Sequence, residues 1–411
     1  MPTLPSAARA GAAAAILCTC AGHAPAQTTP QLPTTVITPA RQTQALDEAL
    51  PATSVITRAD IERTQSVDIV SLLSRETGVQ FAQSGGRGAA ASLFVRGANS
   101  SQVLVLVDGV RLNAGTSGAA AVGGIALDSI ERIEIVRGNL SSLYGSAAIG
   151  GVVQIFTRRG SETGIAVSAE GGQGRTLDGR VSGGTELGPV RVGGALGGGT
   201  TTAFSAIDAG RVAHGPFAAG ANPDLDGNEY LTASLGATYR SGETLAALNA
   251  WLNRNRTEFD NTSDGPTATH LETSQLAAAN ALLRTAVNDR WSTQLVLGAS
   301  RDSSTNVVSV PASFDDGQFS SDNVMATWTN DVDLSRELRA QLGAEYLYQA
   351  GESTAYDPAF TGMAQRFSRT VGSAWLGLTG DSGPHQLQLN VRQDQYSDVG
   401  GATTGLAAYG Y

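Results

Sequence analysis

Residues 92–97 read SLFVRG, residues 102–113 read QVLVLVDGVRLN, and residues 130–158 read IERIEIVRGNLSSLYGSAAIGGVVQIFTR. Each piece is a short β-rich run closed by a Gly or an Asp-Gly turn. Val103 to Val107 is a continuous apolar run, the pattern of a strand buried on both faces. Asp108-Gly109 is a strong hairpin signal. Upstream, Ser54-Val55-Ile56 predicts a strand, Thr57 and Asp60 stand at capping-box spacing, and Ser66 is placed to cap a second short helix. Ile69, Val70, Leu72 and Leu73 recur at helical spacing and predict core. Together these segments describe a small α+β module over residues 53–160.

From about Ile165 the period changes to two. Twelve segments alternate apolar with polar or small residues, the first near 165–173 and the last near 402–411. Short turns, as at Gly188-Pro189, Ser241-Gly242, Asn288-Asp289 and Ser382-Gly383, alternate with long polar loops. That asymmetry is the pattern of outer-membrane barrels. Trp251, Trp291, Trp328 and Trp375 lie within or beside these segments and are expected in aromatic girdles. The fold class is therefore mainly β, an N-terminal α+β plug inside a transmembrane antiparallel β-barrel.

Composition agrees. The chain has 411 residues, 50 of them Gly, and only 16% are charged. All 27 basic residues are Arg, and the net charge of −10 argues against a nucleic-acid partner. Residues 1–26 resemble a cleaved signal peptide: Arg9, a short apolar core from Ala10 to Leu17, and Ala24-Pro25-Ala26 as the cleavage site. Cys18 and Cys20 both fall inside it, so the chain after cleavage offers no disulfide or thiolate. No later run of 18 or more apolar residues exists, so membrane insertion requires a barrel. Residues 27–52 are rich in Thr, Pro and Gln and read as a flexible arm.

The blocks Phe94-Val95-Arg96-Gly97, Val103 to Asn113, Ile130 to Gly138 and Leu143 to Ile155 resemble the plug of TonB-dependent outer-membrane receptors, and among these the cobalamin receptors. Asn139 departs from that pattern where Pro is usual, as does Ala147 where Asp or Gly is common. The resemblance implies a monomeric outer-membrane transporter, exported through the signal peptide. It would bind cobalamin or a related corrinoid and import it through TonB in the periplasm, using the proton gradient. A ferric-siderophore receptor is the alternative within the family. A non-transporting adhesin or phage-receptor barrel is the alternative outside it.

The resemblance also implies site residues. Thr35, Val36, Ile37, Thr38, Pro39 and Ala40 would form the TonB box, a β-prone segment able to add to a partner's sheet edge. Arg96 and Arg137 would pair with acids of the barrel wall. Ser84, Gly85, Gly86, Arg87, Asn113, Gly115 and Ser117, in the loops 84–91 and 113–124, would meet the ligand. Asn222-x-Asp224-x-Asp226-Gly227-Asn228 resembles the start of a calcium loop. Asp224 and Asp226, with Asp260 from the next long loop, would hold calcium.

No enzyme reading survives. Gly86-x-Gly88-x-x-Ala91 does not open a helix after a strand, and the chain has neither a Gly-x-Ser-x-Gly elbow nor a phosphate-loop Lys. Neither a catalytic residue nor a catalytic cofactor is expected. Residues 161–411 leave room for roughly 12 strands, whereas plugged transporters have about 22. A C-terminally truncated sequence is the expectation that reconciles the two.

Overall fold

The computed structural model describes residues 35–411, except 38–40, 42–43, 161–162, 206, 208–221, 262–266, 310–316 and 356–363. The signal-peptide reading and Thr38, Pro39 and Ala40 of the proposed TonB box lie outside the described residues. The arm contributes two short strands, β1 (Thr35–Val36) and β2 (Gln44–Ala45), which pair antiparallel.

The plug follows. Its strands are β3 (Ala52–Thr57), β4 (Val79–Gln83), β5 (Ala91–Val95), β6 (Val103–Val107), β7 (Val110–Arg111), β8 (Ile130–Arg137) and β9 (Gly151–Thr157). The helices are α1 (Arg58–Thr64), α2 (Ile69–Leu73) and α3 (Ser141–Tyr144). Five strands form one sheet in the order β3-β8-β9-β6-β7, with β6 parallel to β9, while β4 and β5 make a separate hairpin. Every residue of β6 is buried, as its unbroken apolar run requires. The Asp108-Gly109 turn takes positive φ at both positions, 49° and 84°. The Asp108 carboxylate then accepts the amide and hydroxyl of Thr157 at 3.0 and 2.6 Å, locking the turn to β9. Thr57 caps α1 reciprocally with Asp60. Ser66 does not cap α2; Asp68 does, its carboxylate accepting the Ser71 amide at 2.7 Å. A carboxylate directly before the helix satisfies the free amides of the first turn better than a hydroxyl two residues further out.

Twelve antiparallel strands follow in strict chain order. They are β10 (Gly164–Gly172), β11 (Thr176–Leu187), β12 (Val190–Phe204), β13 (Asp226–Ser241), β14 (Thr244–Phe259) and β15 (His270–Asn288), then β16 (Trp291–Val308), β17 (Gly317–Asp333), β18 (Leu338–Ala355), β19 (Gln365–Ser382), β20 (His385–Tyr396) and β21 (Gly400–Gly410). Among the described residues β10 and β21 do not pair with each other, so the sheet is an open wall around the plug. Several strands extend further into the long-loop side than the alternation predicts. There the outward positions turn polar, and the period-two signal fades before the ladder does.

The wall is inside-out relative to a soluble sheet. On β20, Gln388, Asn390, Arg392 and Asp394 are buried while Leu387, Leu389 and Val391 are exposed. On β18, Glu345, Leu347 and Gln349 face in, and Leu342, Tyr346 and Tyr348 face out. Polar groups turned to the plug and apolar groups turned outward describe a sheet whose outer solvent is lipid. Trp291 and Trp328 sit on that outer surface. Trp251 and Trp375 do not belong to a girdle: both are buried, facing inward. Trp251 packs into the plug core with Leu276, Met325 and Leu347. No described helix is long and apolar enough to cross a membrane.

Candidate functional site

Polar contacts join the plug to the wall at many points, as where Asn253 and Asn255 hold the Gly124 carbonyl and Ser300 holds that of Arg111; two charged clusters and one acidic group of the wall loops stand out. The first joins arm, plug and wall. Glu345, buried on β18, accepts Nη2 of Arg41 at 3.0 Å, Nη2 of Arg392 at 2.9 Å and the Thr327 hydroxyl at 3.2 Å. Arg392 also donates to Asp394 at 2.7 Å and to the Leu143 carbonyl of α3 at 3.0 Å. The Arg41 guanidinium lies over the rings of Tyr144 and Trp375, 4.3 and 4.7 Å from their centroids. Burial raises the pKa of the Tyr144 phenol, which keeps it a neutral face for that cation. A few residues upstream, Val36 is fully buried and the Ile37 amide donates to Glu134 of β8 at 3.0 Å. The described part of the proposed TonB box is thus held on three sides: by β2, by Glu134, and through Arg41 by Glu345.

The second contact is apical. Arg87 forms an ion pair with Asp178 of β11 at 3.1 Å and lies over the Tyr230 ring at 4.7 Å. The Tyr230 hydroxyl donates to Asp128 of the plug at 2.9 Å. Arg87, expected at the ligand, thus joins the plug to the wall in this structure. Asn113 also has partners within the protein. It is buried, and its amide bridges the Val105 amide and the Val103 and Gly118 carbonyls at 2.8 to 2.9 Å, as a brace for the loop. Gly115 is pressed on the wall. Its amide donates to Ser321 at 3.0 Å, and a Cβ there would stand 2.9 Å from the Gln349 side chain. Gly85 and Gly86 belong to the turn between β4 and β5, where the Gly86 carbonyl accepts from Gln83 at 2.7 Å. Ser84 and Ser117 are exposed and line a cavity of about 380 Å³ between the apical loops and the wall.

Arg96 and Arg137 do not reach the wall. Arg137 turns into the plug, pairing with Glu76 at 2.9 Å and donating to the Thr77 carbonyl at 2.7 Å. Arg96 is exposed in a left-handed turn after β5 (φ 51°), and its amide donates to the Gly78 carbonyl at 2.7 Å. Arg137 is thus spent inside the plug, while among the described residues the exposed Arg96 guanidinium has no ion-pair partner. The arginines that do join plug, arm and wall are Arg41, Arg87 and Arg392. Arg392 and Asp394 carry a readable signal, charges at alternate positions of a strand whose other face is leucine and valine.

The third feature is the long-loop side of β13 and β14. Asp224, Asp226 and Asp260 come together, with carboxylate oxygens within 4.8 Å of one another. Asn222 does not join them, since its amide donates to the Ala268 carbonyl at 3.1 Å. Burial, then the neighbouring Asp260 and Glu258 carboxylates, push the Asp224 pKa up. The donor set is oxygen only, which fits a hard divalent cation such as calcium.

A plug braced within an inside-out β wall has a counterpart among known families. Residues 45–152 match the TonB-dependent Receptor Plug Domain. Residues 45–152 form a plug domain of the TonB-dependent receptor type. The chain is 51% identical to the Vitamin B12 transporter BtuB of Vibrio cholerae over 137 residues, which are 33% of this chain and 22% of that protein. Among solved structures it is similar to the ferric enterobactin receptor PfeA of Pseudomonas aeruginosa, with 17% identity and a TM-score of 0.69 over 88% of this chain and 60% of that one. It is also similar to the siderophore receptor PirA of Acinetobacter baumannii, with 17% identity and a TM-score of 0.67 over 87% and 58%. At these identities the structures show a shared fold, a plug within a β wall, and no more. The chain spans about a fifth of the length of its curated relative in the match, and about three fifths of the length of its structural ones.

Proposed function

We propose that this receptor captures a corrinoid at the cell surface and imports it across the outer membrane, energised from the periplasm by TonB. No bond is made or broken. The observation that carries the coupling is the state of the arm. Thr35–Val36 has only a two-residue partner strand among the described residues, so another protein's longer strand can replace β2 once the Ile37–Glu134 hydrogen bond and the Arg41–Glu345 ion pair give way. Ligand at the apical face would favour the plug state from which the arm is free, and TonB engagement would favour ligand-responsive states in return. The corrinoid reading rests on the 51% identity to a vitamin B12 transporter through the plug. Deleting residues 34–40 tests the coupling: uptake is lost while binding stays. An adhesin would lose neither. Binding of cyanocobalamin against a panel of ferric siderophores tests the ligand.

Calcium is part of the proposal. Asp224, Asp226 and Asp260 would hold the ion and tie the long loop after β12 to the loop after β14. With calcium added, those loops resist protease and cyanocobalamin binds more tightly. In Asp226→Asn both effects disappear. Equal affinity with calcium and with chelator sinks this part.

A further inference from the structure

The apical cavity has an unbalanced wall. Its plug side is small and neutral, built from residues such as Ser84, Gly88 and Ser117. Its wall side carries Glu272 on β15 and Asp302 on β16. Asp302 is 7% exposed, and among the described residues it has neither a hydrogen-bond donor nor a cation beside it. Glu272 is likewise unpaired, and no arginine lines the cavity. Register places Asp302 opposite Leu276 and Glu272 opposite Asn306, so Asp302, Ser304 and Asn306 share one face of β16. Oδ1 of Asn306 is itself buried without a partner. The wall therefore presents acceptors that the protein does not satisfy. A buried carboxylate without a donor is costly, and a like charge close by adds to the cost. Arg87, in an apical loop of the plug, is already bound to Asp178.

We propose that Glu272 and Asp302 form a ligand-selecting subsite: the cavity takes a neutral or cationic ligand face rich in N–H donors, amide or ammonium, and rejects an anionic one. This rests on the reading of the chain as a receptor for a bulky external solute. It goes further by naming the chemistry of the face that enters. Charge-assisted hydrogen bonds to the two carboxylates supply the affinity, and their field supplies the exclusion.

The test is the isosteric double variant Glu272→Gln/Asp302→Asn of the full protein, in detergent, with its melting temperature checked against wild type. Three probes are titrated: cyanocobalamin, neutral and fringed with amides; a ferric trihydroxamate bearing a free ammonium; and a ferric tricatecholate, a trianion. Wild type should prefer one of the first two. The variant should lose at least about tenfold in affinity for that probe and gain about tenfold for the tricatecholate, one decade for each charge-assisted contact weakened or repulsion removed. Wild type binding cyanocobalamin with the variant unchanged overturns the subsite and leaves the corrinoid reading standing. Preference for the ammonium-bearing probe, lost in the variant, supports the subsite and overturns the corrinoid reading. Preference for the tricatecholate in wild type overturns both. A loss seen only with calcium present assigns the carboxylates to a metal and overturns the subsite.

Discussion

At the scale of single residues, the arm is held by Arg41. Its ion pair with Glu345 is buried, and it lies over the faces of Tyr144 and Trp375. Arg41→Ala leaves Glu345 paired with Arg392, so the wall survives while the arm loses its anchor. Loss of one hydrogen bond to a charged group, about 2 kcal/mol, shifts the arm's release equilibrium about thirtyfold. Thiol labelling at Val36→Cys, buried while the arm is docked, should accelerate by that factor in the Arg41→Ala background; an unchanged rate removes Arg41 from the latch. Gly88 shows the opposite kind of constraint. It has φ +80°, and a Cβ there would lie 2.2 Å from the Asn228 amide of the wall. Gly88→Ala should destabilise the docked plug by about 1–3 kcal/mol, read as a lower melting temperature and increased antibiotic leakage. Neither residue stands out in the chain. Their partners lie 304 and 140 positions away, and only the folded wall brings them into contact.

At the scale of elements, local chemistry was well written into the chain. Thr57 and Asp60 cap α1 at the spacing that the sequence displays, and Val103–Val107 is the doubly buried strand that its composition demands. Hydrogen bonds from Thr57, then the Arg63 guanidinium, hold the Asp60 pKa below its ordinary value of 3.8, outweighing a small opposing effect of burial. A depressed folded value means that the cap's stabilisation is fully present above the ordinary carboxylate pKa and is lost as pH falls through the lower folded one. Amide exchange in α1 should rise over that acid window. Thr57→Ala should cost about 1 kcal/mol at neutral pH and weaken the acid step. An acid step of wild-type size in Thr57→Ala would assign it to other carboxylates. Ser66 was misread because several Ser, Thr and Asp residues compete for one helix start. The residue whose oxygen reaches the third amide, here Asp68, takes the cap.

At the scale of the molecule, the inside-out wall has one consequence that a soluble β protein lacks: its outward leucines face lipid. Leu297 is 48% exposed, well inside the outer apolar band of β16. Leu297→Arg should cost about 2–4 kcal/mol when folding is measured into lipid vesicles, against little change for a polar substitution near the long-loop end of the same strand. Equal costs at the two positions would mean that the outer face does not contact hydrocarbon. The sequence by itself determined the plug, the twelve strands, their order and the side on which the long loops fall. Those follow from periods of two, turn residues and caps, all of which act between neighbours in the chain. Only the tertiary structure decided which charges do the joining. Arg137 stayed within the plug, Arg87 and Arg41 crossed to the wall, Trp251 and Trp375 turned inward, and Glu272 and Asp302 were left facing a cavity. Such pairings depend on where a strand's inward face lands against a separate module, and a period of two carries no information about what stands opposite.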